Sequence, residues 1–238
     1  TLGGGVAVAH GVNNLGQVVG ESTNASGDLR AFVWESSTGM QDLGTLGGPS
    51  SAGYAINESG EVVGYSDFAA SYHAFVYWGG VMSQLGTLGH AYSGGFDINE
   101  SSQIVGVLVD NTGNATAFLY ENGTLYDLGA PLLSQSQAWV INDEGLVAGS
   151  AWGPGEDQSF LCAGGLVVNL GALAGLPNTY AMGINNAGQV VGTSRNATNT
   201  VSRAFIYTGG QLHDLNTLLV PGHGWDHLAE AYDINEQG

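Results

Sequence analysis

Two imidazoles and two carboxylates stand within eight residues near the C-terminus, in the stretch HGWDHLAE: His223, Asp226, His227 and Glu230. Two histidines four apart can share a metal when they lie on one helix face. Gly222 and Gly224 argue against a regular helix, and the HExxH pattern is absent. The same residues with Trp225 also make a candidate ligand-binding loop, in which the indole is either a plug for the core or a stacking platform. A second pair of carboxylates, Asp97 and Asp233, stands two residues before a recurring asparagine in two copies of one phrase. If such carboxylates meet, they suit a hard, oxygen-seeking cation such as Ca²⁺; if not, they are solvated acids. No organic cofactor is called for. Cys162 is the only cysteine, so no intrachain disulfide can form, and its place among strand aromatics makes it a packing thiol rather than a nucleophile. Glycine-rich phosphate loops, GxSxG and CxxC are absent. Six N-x-S/T sequons occur, of which Asn24, Asn114 and Asn196 fall in long loops and are the candidate glycan acceptors.

The phrase that carries these groups recurs: GVNNLGQVVGES, AINESGEVVGYS, DINESSQIVGVL, VINDEGLVAGSA, GINNAGQVVGTS and a final DINEQG. Its asparagines, Asn13, Asn57, Asn99, Asn142, Asn185 and Asn235, are spaced by 44, 42, 43, 43 and 50 residues. Such a period belongs to solenoids, propellers or arrays. Each unit reads as four short strands. The first ends in a large residue, a spacer and an aliphatic residue, as in Tyr54 and Ile56. A turn follows, built on asparagine and a glycine that can take positive φ. The second strand is Val-Val-Gly or a close variant. The third is Ala-Phe followed by two further apolar residues, as in Ala74-Phe75-Val76-Tyr77, which requires burial on both faces. The fourth carries Asp-Leu and leads through GTLGG into the next unit. Four strands in about 43 residues, with no 3.6-residue period, is the unit of a β-propeller blade. The repeats run approximately over 6–48, 49–90, 91–131, 132–175, 176–221 and, partially, 222–238, all within one expected propeller domain. The expectation is five complete blades and a truncated sixth, with a six-bladed parent. Closure with five blades is the alternative.

The chain has 238 residues, 40 of them glycine, and a formal charge of −18 with only three cationic side chains, Arg30, Arg195 and Arg203. A duplex-binding protein needs a basic footprint that this composition lacks, and an anionic membrane surface would repel the chain. No apolar run is long enough for a membrane span. Nucleic acid and membrane insertion are therefore excluded as partners.

The run DLGTLGGPSSAGYAINESGEVVGYS followed by HAFVYWGG resembles the HAF-repeat family of probable extracellular repeats, whose name matches His73-Ala74-Phe75 here. The other copies read Arg30-Ala31-Phe32, Thr116-Ala117-Phe118, Gln158-Ser159-Phe160 and Arg203-Ala204-Phe205, so the histidine occurs once. The resemblance covers the whole chain. It implies a secreted or surface-exposed bacterial protein and carries no catalytic residues. The function expected is a non-enzymatic module that self-assembles through open blade edges or binds extracellular glycans or proteins. The alternative is a secreted hydrolase or lyase using Asp97, Asp233 and the His223–Glu230 stretch. For the recurring asparagine, the two readings are a turn cap and a ring of amides offered to a ligand.

Overall fold

The computed structural model describes residues 1–129, 132–220, 222 and 224–238. Five four-stranded antiparallel sheets appear, each formed by four strands consecutive in the chain and paired in chain order. The chain divides into two compact units, Thr1–Asp127 and Leu128–Gly238. The first unit holds blade one, β1 (Gly3–Val12), β2 (Val18–Asn24), β3 (Leu29–Glu35) and β4 (Gly39–Asp42). Blade two is β5 (Ser51–Ile56), β6 (Val62–Phe68), β7 (Ser71–Trp78) and β8 (Val81–Gln84), and blade three is β9 (Tyr92–Ile98), β10 (Ile104–Val109), β11 (Ala115–Glu121) and β12 (Thr124–Gly129), whose last residues reach into the second unit. The second unit continues with blade four, β13 (Gln135–Ile141), β14 (Val147–Trp152), β15 (Gln158–Ala163) and β16 (Leu166–Asn169). It then holds blade five, β17 (Asn178–Ile184), β18 (Val190–Arg195), β19 (Ser202–Thr208) and β20 (Gln211–Asp214). The only helical piece among the described residues is one 3₁₀ turn, Leu215–Leu218. The sheets are β-propeller blades, as the repeat predicts.

The core lies between successive blades of each unit. In the first unit Val19, Ala31 and Leu43 of blade one pack with Val62 and Phe75 of blade two. Val63, Ala74 and Leu85 pack with Ile98, Ile104, Leu108 and Phe118 of blade three. In the second unit Ala148 and Leu170 meet Ala181, Val190 and Phe205. The third-strand phenylalanines Phe75, Phe118, Phe160 and Phe205 are the largest fully buried side chains. The residue two places further on departs from the expectation of burial on both faces. Trp34 is 39% exposed and Tyr77, Tyr120 and Tyr207 are half-buried. These rings are too long for the space at the strand end and extend past it, whereas the small thiol of Cys162 at the matching position stays inside. Burial pushes the Cys162 thiol up from its ordinary pKa, which keeps it protonated and unreactive.

The recurring asparagine performs two tasks. Its Oδ1 accepts the backbone N–H four residues on, at Gln17 (3.0 Å), Glu61 (3.0 Å), Gln103 (2.9 Å), Leu146 (2.8 Å) and Gln189 (3.0 Å), which closes the turn. Its Nδ2 donates to the backbone carbonyl of the same asparagine one blade further on: Asn13 to Asn57 (3.0 Å), Asn57 to Asn99 (3.3 Å), Asn142 to Asn185 (2.9 Å) and Asn185 to Asn235 (3.1 Å). Asn13, Asn57, Asn99, Asn142 and Asn185 are all buried. The following residue repeats the link at the surface, with Asn14 N–H donating to Glu58, Glu58 N–H to Glu100, Asp143 N–H to Asn186 and Asn186 N–H to Glu236. A third link uses a buried hydroxyl of the first strand. Ser51, Ser93 and Thr179 accept the N–H of Ala31, Ala74 and Ser159 in the preceding blade at 2.8–2.9 Å. The repeated phrase is thus a blade-to-blade clamp, and its amides are consumed inside the scaffold.

The fourth residue of the turn sits in the left-handed region in every complete copy: Gly16, Gly60, Gly145 and Gly188 at φ +74 to +79°, and Ser102 at φ +59°. A serine there carries a Cβ penalty that glycine avoids. Its hydroxyl donates to Glu61 at 2.6 Å, but that bond is exposed. We expect Ser102→Gly to raise unfolding stability by about 0.5–1 kcal/mol, read as a shift in urea midpoint. An unchanged or lowered midpoint contradicts the strain argument.

The sixth copy of the phrase docks on blade five without forming a strand. Residues 227–235 carry no regular secondary structure, and the described chain supplies no second strand for them to pair with in a ladder. The N–H of Ala204 donates to the carbonyl of Leu228 (2.9 Å), Thr193 Oγ1 donates to that of Ala229 (3.0 Å), and Asn216 brackets Leu228 by its amide oxygen (2.6 Å) and nitrogen (3.0 Å). Gly183 lies against Asp233, just as Gly11 of blade one lies against Ala55 at the matching position of blade two. This is the placement the six-bladed reading requires of that segment relative to blade five. At the other end of the sequence, Val6, Val8 and Val12 of β1 are 56%, 42% and 67% exposed.

Candidate functional site

The residues of the HGWDHLAE stretch separate in space. His223 lies outside the described residues. Asp226 and His227 line a polar cavity of about 460 Å³ with Arg203 and Asn216. Glu230 serves elsewhere: it forms an ion pair with Arg195 at 2.6 Å and accepts a hydrogen bond from the hydroxyl of Tyr232. Those two bonds hold its carboxyl below the usual carboxylate range, the one from Tyr232 contributing most. Trp225 is 68% exposed, so it is not a plug in the core. Asp97 and Asp233 belong to different units, and each uses Oδ1 to accept the N–H of the next residue, Ile98 (2.9 Å) and Ile234 (2.8 Å). Among the described residues, no group of three or more His, Cys, Asp or Glu side chains is placed to hold a metal ion.

Of the three candidate glycan acceptors, Asn114 and Asn196 lie in loops between second and third strands, whereas Asn24 is the last residue of β2. Asn24 accepts the N–H of Ser26 and Asp28 and closes its own loop, and Asn196 does the same with Thr200 and Val201. Asn114 is exposed and donates to Asp110 at 3.1 Å.

A site that sequence reasoning missed lies in the second unit. Trp139, Val140, Tyr180, Ala181, Met182, Arg195 and Tyr232 line a cavity of about 450 Å³. A neighbouring cavity of about 220 Å³ is lined by Gln137, Trp139, Ser150, Ala151, Trp152, Asp157 and Tyr180. Trp139 and Tyr180 are walls of both. Trp139 stands on β13, three residues before the clamp asparagine Asn142, at the place where blades one to three carry His10, Tyr54 and Phe96. Those three form their own series, with ring centroids 5.2 and 5.9 Å apart. Tyr54 continues through Tyr65 and Tyr72 to Tyr92, so in the first unit the rings pack on one another.

The second unit differs at offsets that the repeat leaves variable. Five residues before the clamp asparagine, Val8, Ala52 and Gly94 are replaced by Gln137 and Tyr180; ten residues after it, Thr23, Asp67 and Val109 are replaced by Trp152 and Arg195. Strand pairing places Ser150 opposite Gln137 and Trp152 opposite Gln135. Asp157 comes from the β14–β15 loop and is pinned to β17, its N–H donating to Asn178 Oδ1 (3.0 Å) and its carbonyl accepting from Thr179 (2.9 Å). The Tyr180 hydroxyl donates to Asp157 Oδ2. Burial first, and then that carboxylate, push the Tyr180 phenol up to about 12, so it remains a hydrogen-bond donor across the physiological range. The Arg195 guanidinium lies over the Tyr180 ring, 5.3 Å from its centroid, and its charge is matched by Glu230. The signal that could have located this site is the set of departures from the repeat in two consecutive copies.

No protein-family model matches the chain, and no curated protein does. Solved structures share its fold. TolB from Acinetobacter baumannii aligns with a TM-score of 0.60 at 12% identity, over 87% of this chain and 53% of that one. The chain thus spans about half the length of that TolB. A putative TolB from Agrobacterium tumefaciens aligns at 0.57 and 10% identity, over 82% of this chain and 79% of that one. The β-propeller domain of the Trilobed protease from Pyrococcus furiosus, described as having an open velcro topology, aligns at 0.58 and 12% identity, over 88% and 66%. At these identities the likeness is one of fold, and that fold is the β-propeller. Among the described residues no helix is long and apolar enough to cross a membrane.

Proposed function

We propose that this chain is the non-enzymatic interaction module of a secreted or cell-surface repeat protein of the HAF-repeat kind. One observation carries the reading. The polar groups that the repeat supplies are spent on joining blades, as in the Asn13–Asn57 and Asn142–Asn185 bonds. The residues that break the repeat gather around an aromatic-walled cavity in the second unit. A repeated scaffold with one non-repeated, mostly apolar concavity holding a few polar groups is the form of a binding site. The exposed Val6, Val8 and Val12 of β1, an edge strand of its sheet, leave apolar side chains for another protein chain to cover. The competing reading is a hydrolase or lyase that uses Asp157 and Glu230 beside the same cavity. Incubating the purified chain with chromogenic glycosides and esters and with polysaccharides separates the two. The expected result is no product above the protein-free control. Turnover that disappears in Asp157→Asn or Glu230→Gln overturns the proposal in favour of the enzyme.

A further inference from the structure

We infer that the twin cavity around Trp139 and Tyr180 is a binding site for a neutral oligosaccharide. This rests on the reading of the chain as a binding module and names the ligand class for it. Three aromatic side chains, Trp139, Tyr180 and Trp152, line the two adjoining spaces of about 450 and 220 Å³. Broad aromatic faces match the C–H faces of pyranose rings, and the shared walls make two adjacent subsites rather than one pocket. Polar groups that ring hydroxyls would meet share the smaller space with these aromatic side chains. The Gln137 amide, the Asp157 carboxylate and the Tyr180 hydroxyl line the smaller space.

A second, independent observation points to a ligand. Ser150 lines the same space and is 3% exposed, and its Oγ has no hydrogen-bond partner. A buried hydroxyl without a partner is costly. The matching residue of blade five, Thr193, satisfies its hydroxyl on the carbonyl of Ala229. A sugar hydroxyl, which both donates and accepts, would satisfy Ser150 in the same way.

Charge decides among ligands of similar size. The chain carries −18, and the one cation beside the cavity, Arg195, is already paired with Glu230 at 2.6 Å, which disfavours an acidic sugar. The cation position over the Tyr180 ring is taken by Arg195 itself, which disfavours a quaternary ammonium ligand. A neutral, hydroxyl-rich ring is the class left.

The test is a titration of the whole chain, followed by tryptophan fluorescence and calorimetry. The probes are the neutral trisaccharides of the cello, malto, xylo, manno and chito series, with trigalacturonate and choline as charged controls. We expect saturable binding of at least one neutral trisaccharide below about 10 mM, the weak end for a single small-molecule site, and weaker binding of both controls. Trp152→Ala should weaken that binding about tenfold or more, the loss of one stacking face. Tyr180→Phe keeps the ring and deletes one hydroxyl; it should weaken binding about fivefold. It also decides the question if Trp152→Ala fails to fold. The inference is overturned if no neutral trisaccharide binds, if trigalacturonate or choline binds more tightly, or if the folded variants bind as the parent does. Each titrated sugar is also scored for cleavage. Binding with cleavage upholds the site and overturns the non-enzymatic reading, whereas no binding and no cleavage overturns the site alone.

Discussion

Replacing Gly64 by alanine is expected to cost the first unit about 3 kcal/mol or more, because the added methyl meets backbone that cannot move aside. A Cβ at position 64 would lie 1.9 Å from the carbonyl oxygen of Ala52 and 3.0 Å from the Cα of Gly53. The cause is a bulge in the first strand, where the register shifts between Gly53 and Ala55 and turns the carbonyl of Ala52 toward β6. The feature is built into every complete blade. The same construction gives 2.0 Å at Gly20, 1.9 Å at Gly106, 2.1 Å at Gly149 and 2.0 Å at Gly192, and at Gly106 and Gly149 a third-strand phenylalanine ring closes in as well, at 2.8 and 2.6 Å. The glycine of Val-Val-Gly is therefore required by close approach and not by a turn. Relief needs the bulge to straighten, which would slip β5 by one residue and turn its buried side outward. Urea unfolding followed by near-ultraviolet circular dichroism measures the cost. A loss below about 1 kcal/mol would mean that the bulge is soft and the blade geometry is not fixed by this contact.

Much of the fold was legible because a repeat states the same physics several times. The Val-Val-Gly and Ala-Phe strands, the turn glycines and the phenylalanine core follow from periodicity and apolar content alone. The second task of the asparagine was not legible. A turn cap is a local matter, readable from Asn57 and Glu61, but the bond from Asn57 to the carbonyl of Asn99 joins residues 42 apart and exists only once the blades are stacked. The end of the third strand was misjudged for a related reason. Apolar type suggested burial of Trp34, whereas side-chain length decided how far it emerges.

The candidate site was hardly legible at all. Sequence reasoning sought function where titratable residues crowd along the chain, at Asp226, His227 and Glu230. The fold sends the first two to one cavity and the third to an ion pair with Arg195. Trp152 and Tyr180 are 28 residues apart in sequence and carry no motif. Their meeting depends on β14 and β17 lying in successive blades, and a search for periodicity averages away the departures that make the site.

The central claim is that the repeated turn holds the blades together while binding belongs to the residues that break the repeat. Asn57→Ala tests it most directly, with melting and trisaccharide titration on the same sample. The substitution removes the bond to Asn99, the cap on Glu61 N–H and the 2.6 Å bond to the Glu61 carboxylate, all around a side chain that is 2% exposed. Loss of buried amide bonds of this kind costs about 2 kcal/mol, and Asn57 lies in the first unit whereas the aromatic cavity is lined wholly by residues of the second. The account predicts a lowered melting temperature with trisaccharide affinity unchanged. An unchanged melting temperature with affinity lost would show that the amides are the site and contradict the account.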